Sequence, residues 1–424
     1  MNARKIAIVG AGPIGLEAAL RARHAGHEVT VFESASVGEH FRLYGPVPLF
    51  TPFLMNSTGL GRERLRAGGL KLPGDDEMLT AEDFRERYIL PLSRLPELAD
   101  TVQEGTRVVA IAREGTTKTR SAAATGDPAR VMNPFLLQVM ASRGGARLFR
   151  ADVVIDASGV YGSANRTGPG GLPAFGEEDL GERLERHLPA ISRAAASRYA
   201  GKRILLLGDG RSAANAIVDL DALVRAGSGA ARTRVEWVHR DRGEGMFAPV
   251  PQAELESLPV LRELDLSANR IAGEAGWIRR HPGATVTSYR VLASGAIEAT
   301  LADSRLKEHR IEVDRVLALV GYRPDLSLFR ELKIHLCYAS EGPMALAAAI
   351  LASQTKDPAA AQGCLGQVSH GPESMKSPEP DFYLLGSKSY GRNPNFLLSL
   401  GHQQIADIFT LIGAAEQGIN VASS

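Results

Sequence analysis

The sequence predicts an α/β protein made of two Rossmann-like, three-layer ββα dinucleotide-binding domains, one inserted in the other. Three observations carry this. Strand–glycine turn–helix units begin at Lys5 and again at Arg203, about two hundred residues apart. Meander-like short strands follow each unit. After the second meander the chain returns to one more buried strand, Phe382 to Leu385, and a last helix. At 424 residues the chain also exceeds what one core organises. The expected division is 1–165 for the first part of the outer domain, 166–335 for the inserted domain with its connectors, and 336–424 for the rest of the outer domain with the terminal helix.

In the first unit, Lys5–Val9 is a strand, about Pro13 to Ala25 a helix with Gly26 at its C-terminal end, and Glu28–Phe32 a second strand ending in Glu33. A further helix is expected from about Thr80, which can cap it, with Asp83 three residues on. Residues 105–155 read as short strands, with an exposed hairpin loop over Thr116 to Ala129 and a buried strand from Asp152 to Ile155 that ends in Ala157-Ser158-Gly159. In the second unit, Arg203–Leu207 is a strand, Ala213 to Ala222 a helix and Val235–Val238 a strand. A last strand is expected over Asp314–Val320, and the final helix from about Asn395 to Gly413.

Composition narrows the function classes. A formal net charge of +1 gives no electrostatic reason to expect nucleic acid or an anionic membrane as partner. Two cysteines, Cys337 and Cys364, form no Cys-x-x-Cys pair, zinc spacing or disulfide framework, and fit a reducing cytoplasm. Glycines interrupt the amino-terminal apolar run, unlike a signal peptide, and the run around Met344 to Ala352 is far shorter than the roughly twenty residues of a bilayer span. A cytoplasmic protein is expected, with no metal set.

Gly10-Ala11-Gly12-Pro13-Ile14-Gly15 is a Gly-x-Gly-x-x-Gly turn between strand and helix. Gly10 permits the sharp turn, Gly12 lets a pyrophosphate approach the backbone, and Gly15 lets helix and strand pack closely. The helix start offers N–H groups and partial positive charge. Glu33 stands where an acid accepts hydrogen bonds from a ribose and repels a 2′-phosphate, so this site is expected to hold FAD or NAD. FAD is favoured by analogy with enzymes that bind two dinucleotides and place FAD first.

Gly208-Asp209-Gly210-Arg211-Ser212-Ala213 repeats the arrangement with Ala213, still small, as third member. The following strand runs into His239-Arg240, putting a basic residue where an NAD site carries its acid. Arg240 can stack on adenine and pair with a 2′-phosphate, which selects NADPH, and Arg242 is a second candidate. Near the carboxyl end, the strand ending at Gly386 leads through a polar stretch to Asn395 and Phe396. Asn395 is expected to cap the last helix, whose amino end would face a flavin ring and stabilise its negative charge on reduction.

The pattern resembles the two-dinucleotide-binding flavoproteins and, within them, the flavin-containing monooxygenases. The resemblance rests on GAGPIG with Glu33, the turn Ala157-Ser158-Gly159, Tyr199 to Ala213, Val320-Gly321-Tyr322-Arg323-Pro324-Asp325, and the strand Phe382 to Gly386. It implies an FAD domain carrying an inserted NADPH domain, with Ser158 and Gly159 among the cofactor-binding residues. Tyr44 to Asn56 resembles a loop whose Asn lies near flavin and nicotinamide, which implies a catalytic Asn56. Two stretches depart from the family: Ser36 to Arg42 replaces Gly-Gly-x-Trp, and Phe175-Gly176 with distant His187 only partly matches Phe-x-Gly-x-x-x-His.

The expected function is an FAD- and NADPH-dependent monooxygenase that oxygenates a nucleophilic nitrogen or sulfur centre through a flavin peroxide adduct, with a small molecule and dioxygen as partners. An NADPH-dependent flavoprotein reductase serving a protein or quinone acceptor is the alternative, and a non-catalytic dinucleotide-binding protein the second. Whether the chain is a monomer or a homodimer is left open by the sequence.

Overall fold

Apolar runs without polar alternation need both faces covered, and the strands of the two parallel sheets have that character. In the computed structural model, which describes residues 3–119, 128–227, 230–240, 247, 258–356 and 368–422, the chain forms two units. One comprises Met1–Arg42, Thr51–Ser163 and Arg323–Ser424, and the other Leu43–Phe50 and Ala164–Tyr322.

The first unit holds a five-stranded parallel sheet in the order Phe382–Leu384, Val153–Asp156, Lys5–Val9, Glu28–Phe32, Val102–Gln103. Alternate side chains of its strands serve two layers. Ala7, Val9, Val154, Phe382 and Leu384 pack with Val108, Ile111, Phe135, Leu137 and Val139 of the antiparallel meander Thr106–Arg113, Phe135–Ala141, Gly145–Ala151. Helix Pro13–His24 is buried along most of its length and covers the other face, where Ile8 approaches Gly15. It ends in a Schellman turn: Gly26 (φ +85°) donates to Arg23 O and His27 to Ala22 O.

The second unit repeats these layers. Its parallel sheet runs Leu184–Glu185, Arg315–Ala318, Arg203–Leu207, Arg234–His239, Ile278–Pro282. Ile204 and Leu206 face helices Arg211–Arg225 and Pro259–Glu274. Leu205 and Leu207 face Val286, Ile297, Ala299 and Leu301 of the antiparallel strands Thr285–Val291, Ile297–Ala302 and Glu308–Val313. The predicted fold class is therefore the observed one: two three-layer ββα units, the second inserted in the first.

Several boundaries move. The expected divisions after 165 and 335 lie at 163/164 and 322/323. Arg323 N bonds Ser163 O, and Leu328, Phe329 and Leu332 belong to the core of the first sheet, which claims residues 323–335 for the first unit. Thr80 caps as expected, accepting from Asp83 N at 3.1 Å, but the helical stretch is interrupted by a wider π-turn over Arg85–Ile89. The predicted loop after the first meander strand contains a short helix, Pro128–Met132, and its residues 120–127 lie outside those described. The last helix is Leu398–Ala422, starting three residues later than expected. Among the described residues no helix is long and apolar enough to cross a membrane, and no cluster of His, Cys, Asp and Glu could hold a metal ion.

Candidate functional site

Close backbone approach explains each glycine of the first turn. Gly10 has φ +100°, and a Cβ there would lie 2.8 Å from Ala157 O. A Cβ on Gly15 would lie 2.0 Å from Gly10 O, so helix and turn tolerate no side chain. Gly12 differs: a Cβ would meet nothing within 4 Å, so its backbone faces open space of the kind a diphosphate needs. Gly12 occupies the N-cap without a capping side chain, and Pro13 at N1 has no N–H to satisfy. Glu33, 8% exposed, accepts from Ala11 N and Ala35 N, both at 2.9 Å. Oε1 also accepts from Ser34 Oγ at 3.4 Å, which leaves one lone pair on Oε2 available to a hydroxyl.

Behind this turn lies a buried ion pair that the sequence reading missed. Lys388 Nζ donates to Asp156 Oδ2 at 2.6 Å and to Ser158 Oγ at 3.0 Å, and stands over the Phe329 ring. Both charged side chains are at most 1% exposed. Ser158 donates its hydroxyl to Asp156 Oδ1 at 2.6 Å, so this predicted cofactor ligand braces the Ala157–Gly159 turn. Gly159 (φ +68°) approaches the ring of His40, whose pKa burial lowers. His40 lies in the stretch where the sequence departs from the monooxygenase pattern.

Ile14 is held by packing. A Cβ on Gly401 would lie 2.4 Å from Ile14 Cδ1, whereas one on Gly386 would make ordinary contact at 3.6 Å, so it is Gly401 that leaves Ile14 its room. Gln404 of the last helix fixes this corner, accepting from Gly386 N at 2.9 Å and donating to Ser389 Oγ at 2.8 Å.

Asn395 is not the helix cap. The helix opens at Leu398 with Leu397 preceding it, and Asn395 N donates to Asn393 Oδ1 in a turn of its own. Leu400 and Gly401 instead donate to the Leu397 carbonyl. Phe396 packs edge-on against Tyr390, within the cluster of Leu346, Ile350 and Leu400. Asn56 is 3% exposed and clasps Thr51, accepting from its hydroxyl at 2.8 Å and donating Nδ2 to its carbonyl at 2.9 Å.

The second turn repeats the backbone of the first. Gly208 has φ +118°, and a Cβ would lie 2.2 Å from Leu319 O, while one on Gly210 would meet nothing within 4 Å. The N-cap angles are −89°/−174° at Gly210 and −78°/−178° at Gly12. Trp237 Nε1 holds the Gly208 carbonyl at 2.8 Å. Ala213 is fully buried at the third position.

Register corrects one placement. Val9 pairs with Phe32 and Leu207 with Val238, so the counterpart of Glu33 is His239, and Arg240 stands one residue beyond. Arg240 reaches back to the turn through Asp209, with Nε to Oδ2 at 2.9 Å and Nη2 to Oδ1 at 2.6 Å. Arg211 is drawn toward the helix Pro259–Glu274, where it meets Asp265 at 2.8 Å. Burial raises the Asp265 pKa to about 6 against the opposing pull of Arg211. Ser212 follows at the helix start, and Arg242 lies outside the described residues.

Residues 5–37 match the family model described as pyridine nucleotide-disulphide oxidoreductase, which covers the first strand, turn, helix and second strand. No curated protein matches the sequence. Solved structures match over nearly the whole chain. The bacillithiol disulfide reductase of Bacillus cereus has 16% identity and TM-score 0.67, with 98% of this chain and 100% of that one covered. The Kutzneria sp. 744 ornithine N-hydroxylase, solved with reduced FAD, NADP+ and L-ornithine, has 15% identity and TM-score 0.62, with 98% and 100% covered. The thioredoxin reductase of T. acidophilum has 16% identity and TM-score 0.53, with 95% of each covered. The chain shares its fold with these proteins. That fold is common to reductases and N-hydroxylases, so it leaves the reaction to be argued from the site.

The functional candidates missed by sequence had weak signals. Lys388 follows a buried strand among serines and looks like a solvated lysine. Asp209 looks like a variable position inside the glycine motif. Only Asp156, the last residue of an apolar strand, carried a warning, because a carboxylate there needs a buried partner.

Proposed function

We propose that the chain is an FAD- and NADPH-dependent oxidoreductase, and within that class a monooxygenase acting on a nucleophilic nitrogen or sulfur centre of a small molecule. The observation that carries the cofactor reading is the pairing of two near-identical glycine turns with opposite charge: Glu33 beside the first and Arg240 beside the second. When bound, FAD would take hydride from NADPH and, once reduced, let dioxygen supply one oxygen atom to the nucleophile while the other leaves as water.

The chain's own residues hold and orient. Gly10, Gly12 and Gly15 let the diphosphate approach the first helix start, while Glu33 receives a ribose hydroxyl and disfavours a 2′-phosphate. Asp156 and Lys388 brace the adjoining Ala157–Gly159 turn. Gly208, Gly210 and Ala213 repeat the cradle for NADPH, with Arg240 on its 2′-phosphate. Asn56, clasped by Thr51, keeps one N–H and one lone pair that would be offered to the flavin when bound.

Support for oxygen transfer over disulfide reduction comes from the cysteines. The chain has only Cys337 and Cys364, which are far apart in sequence and form no redox motif. A reductase serving a quinone or protein acceptor is the second reading, favoured by the likeness in fold to the disulfide reductases.

The purified protein should be yellow, with about one equivalent of FAD. A colourless protein that cannot be reconstituted would remove the flavin from the scheme. With NADPH and oxygen, an amine or thioether panel should yield oxygenated product in step with NADPH consumed. Rapid quinone reduction without oxygenated product establishes the reductase, and no NADPH oxidation with any acceptor establishes a non-catalytic protein.

A further inference from the structure

We propose that Asp209 is a positioning residue that aims Arg240 at the 2′-phosphate, so that selectivity for NADPH is set by the Asp209–Arg240 clasp and not by Arg240 alone. This rests on the reading of the second turn as the NADPH site. The argument begins with an anomaly. A carboxylate inside a phosphate-binding turn opposes anions, and the first turn carries only Ala11 at the matching position. Asp209 is nevertheless 5% exposed and placed on a backbone fixed by Gly208 and by the indole of Trp237.

The geometry of the clasp gives the acid a use. A guanidinium is planar with five N–H groups in a rigid fork. Asp209 takes the Nε/Nη2 edge, at 2.9 and 2.6 Å. The end-on edge, formed by one Nη1 and one Nη2 hydrogen, makes no hydrogen bond among the described residues, and the Arg240 side chain is 73% exposed. The occupied edge fixes the plane, and the open edge then presents parallel donors to an incoming phosphate. A long arginine otherwise surrenders rotamer freedom when it binds, and the clasp surrenders it in advance. Arg240 needs this anchor because it lies one residue past the position of Glu33 and is not held by the strand.

The test is calorimetric titration of the FAD-loaded protein with 2′,5′-ADP and with 5′-AMP, fragments that differ by the phosphate in question. Wild type should bind 2′,5′-ADP more tightly. Asp209→Ala should weaken 2′,5′-ADP about tenfold, roughly one good hydrogen bond, and leave 5′-AMP unchanged or tighter because an opposing charge is gone. Arg240→Lys, which keeps the charge but loses the fork, should show a similar loss, and the double variant no further loss. Asp209→Asn, which keeps one acceptor, should lie between wild type and Asp209→Ala and carries the test should the alanine variant fail to fold. Unchanged or tighter 2′,5′-ADP binding in Asp209→Ala or Asp209→Asn, or additive losses in the double variant, would overturn the positioning role. A wild type that binds neither fragment, or both equally, would instead overturn the NADPH reading beneath it.

Discussion

The two glycine turns share a backbone and differ in where charge is kept. Gly10 and Gly208 both take positive φ under a carbonyl of the neighbouring strand end, and Gly12 and Gly210 both face open space. Around the first turn the charges are buried: Glu33 accepts from the turn itself, and Lys388–Asp156 lies behind it at no more than 1% exposure. Around the second, the guanidinium of Arg240 is largely in solvent. The backbone geometry is what any diphosphate demands. On the proposed reading the charges would distinguish one dinucleotide from the other, and their depth would suit retention of ligand at the first turn and exchange at the second.

The largest expected effect breaks the buried side of this comparison. Lys388→Met leaves Asp156 buried without its cation and should cost about 3–5 kcal/mol in denaturant unfolding, with loss of bound flavin. The double variant Lys388→Met/Asp156→Leu should recover most of that stability, because replacing both partners removes the stranded charge. A single variant within about 0.5 kcal/mol of wild type would mean that the pair braces nothing.

The third glycine position tests the shared backbone. A methyl on Gly15 has a backbone carbonyl at 2.0 Å, whereas Ala213 already sits in the second turn. Gly15→Ala should cost about 1–3 kcal/mol and deplete flavin. Ala213→Gly should cost only about 1 kcal/mol, the helix-propensity difference, and leave flavin content intact. Equal losses of flavin in the two variants would show that the turns are not separable.

Much of this was legible in the letters. Glycine spacing between an apolar strand and a helix fixes a turn because sterics allow little else, and both turns, the four strands flanking them and the cap at Thr80 stand where expected. What was not legible depended on partners distant in sequence. Lys388 and Asp156 are separated by 232 positions, and nothing local marks a lysine as buried. Asn395 looks like a cap by residue type, yet the aromatic packing of Phe396 on Tyr390 and the turn at Asn393 delay the helix to Leu398. The one-residue offset of Arg240 from the acid's position is set by the strand ladder, which the letters do not show.

The two units should also answer acid in opposite senses. His402 in the last helix has its pKa lowered to about 4 by burial, with Arg62 adding to the effect, and its Nε2 is sealed from solvent. The unfolded chain takes up that proton near 6.5, so this contribution to stability is complete above 6.5 and is lost as pH falls toward 4. Asp265 is raised to about 6, so the folded state keeps a proton that the unfolded chain releases near 3.8. Its contribution is complete below about 4 and is lost as pH rises through 6. Plots of Tm against pH from 4 to 7 should therefore lose acid sensitivity in His402→Gln and gain it in Asp265→Asn. Parallel curves for all three proteins would remove both groups from the account.

The smallest effect separates stability from recognition at the second turn. Arg240 is mostly exposed, so its ion pair with Asp209 is screened and should contribute no more than about 0–1 kcal/mol to folding. Arg240→Ala should consequently unfold at nearly the wild-type denaturant concentration while binding of NADP+ weakens by about 1–3 kcal/mol. NAD+ should lose less, since it has no 2′-phosphate, though uncovering the Asp209 carboxylate beside the diphosphate gives it some loss as well. A stability loss comparable to that of Lys388→Met would place Arg240 among the structural ion pairs and erase the contrast between the turns. Equal weakening of NAD+ and NADP+ would leave Arg240 as the neutraliser of Asp209 and take the 2′-phosphate from it.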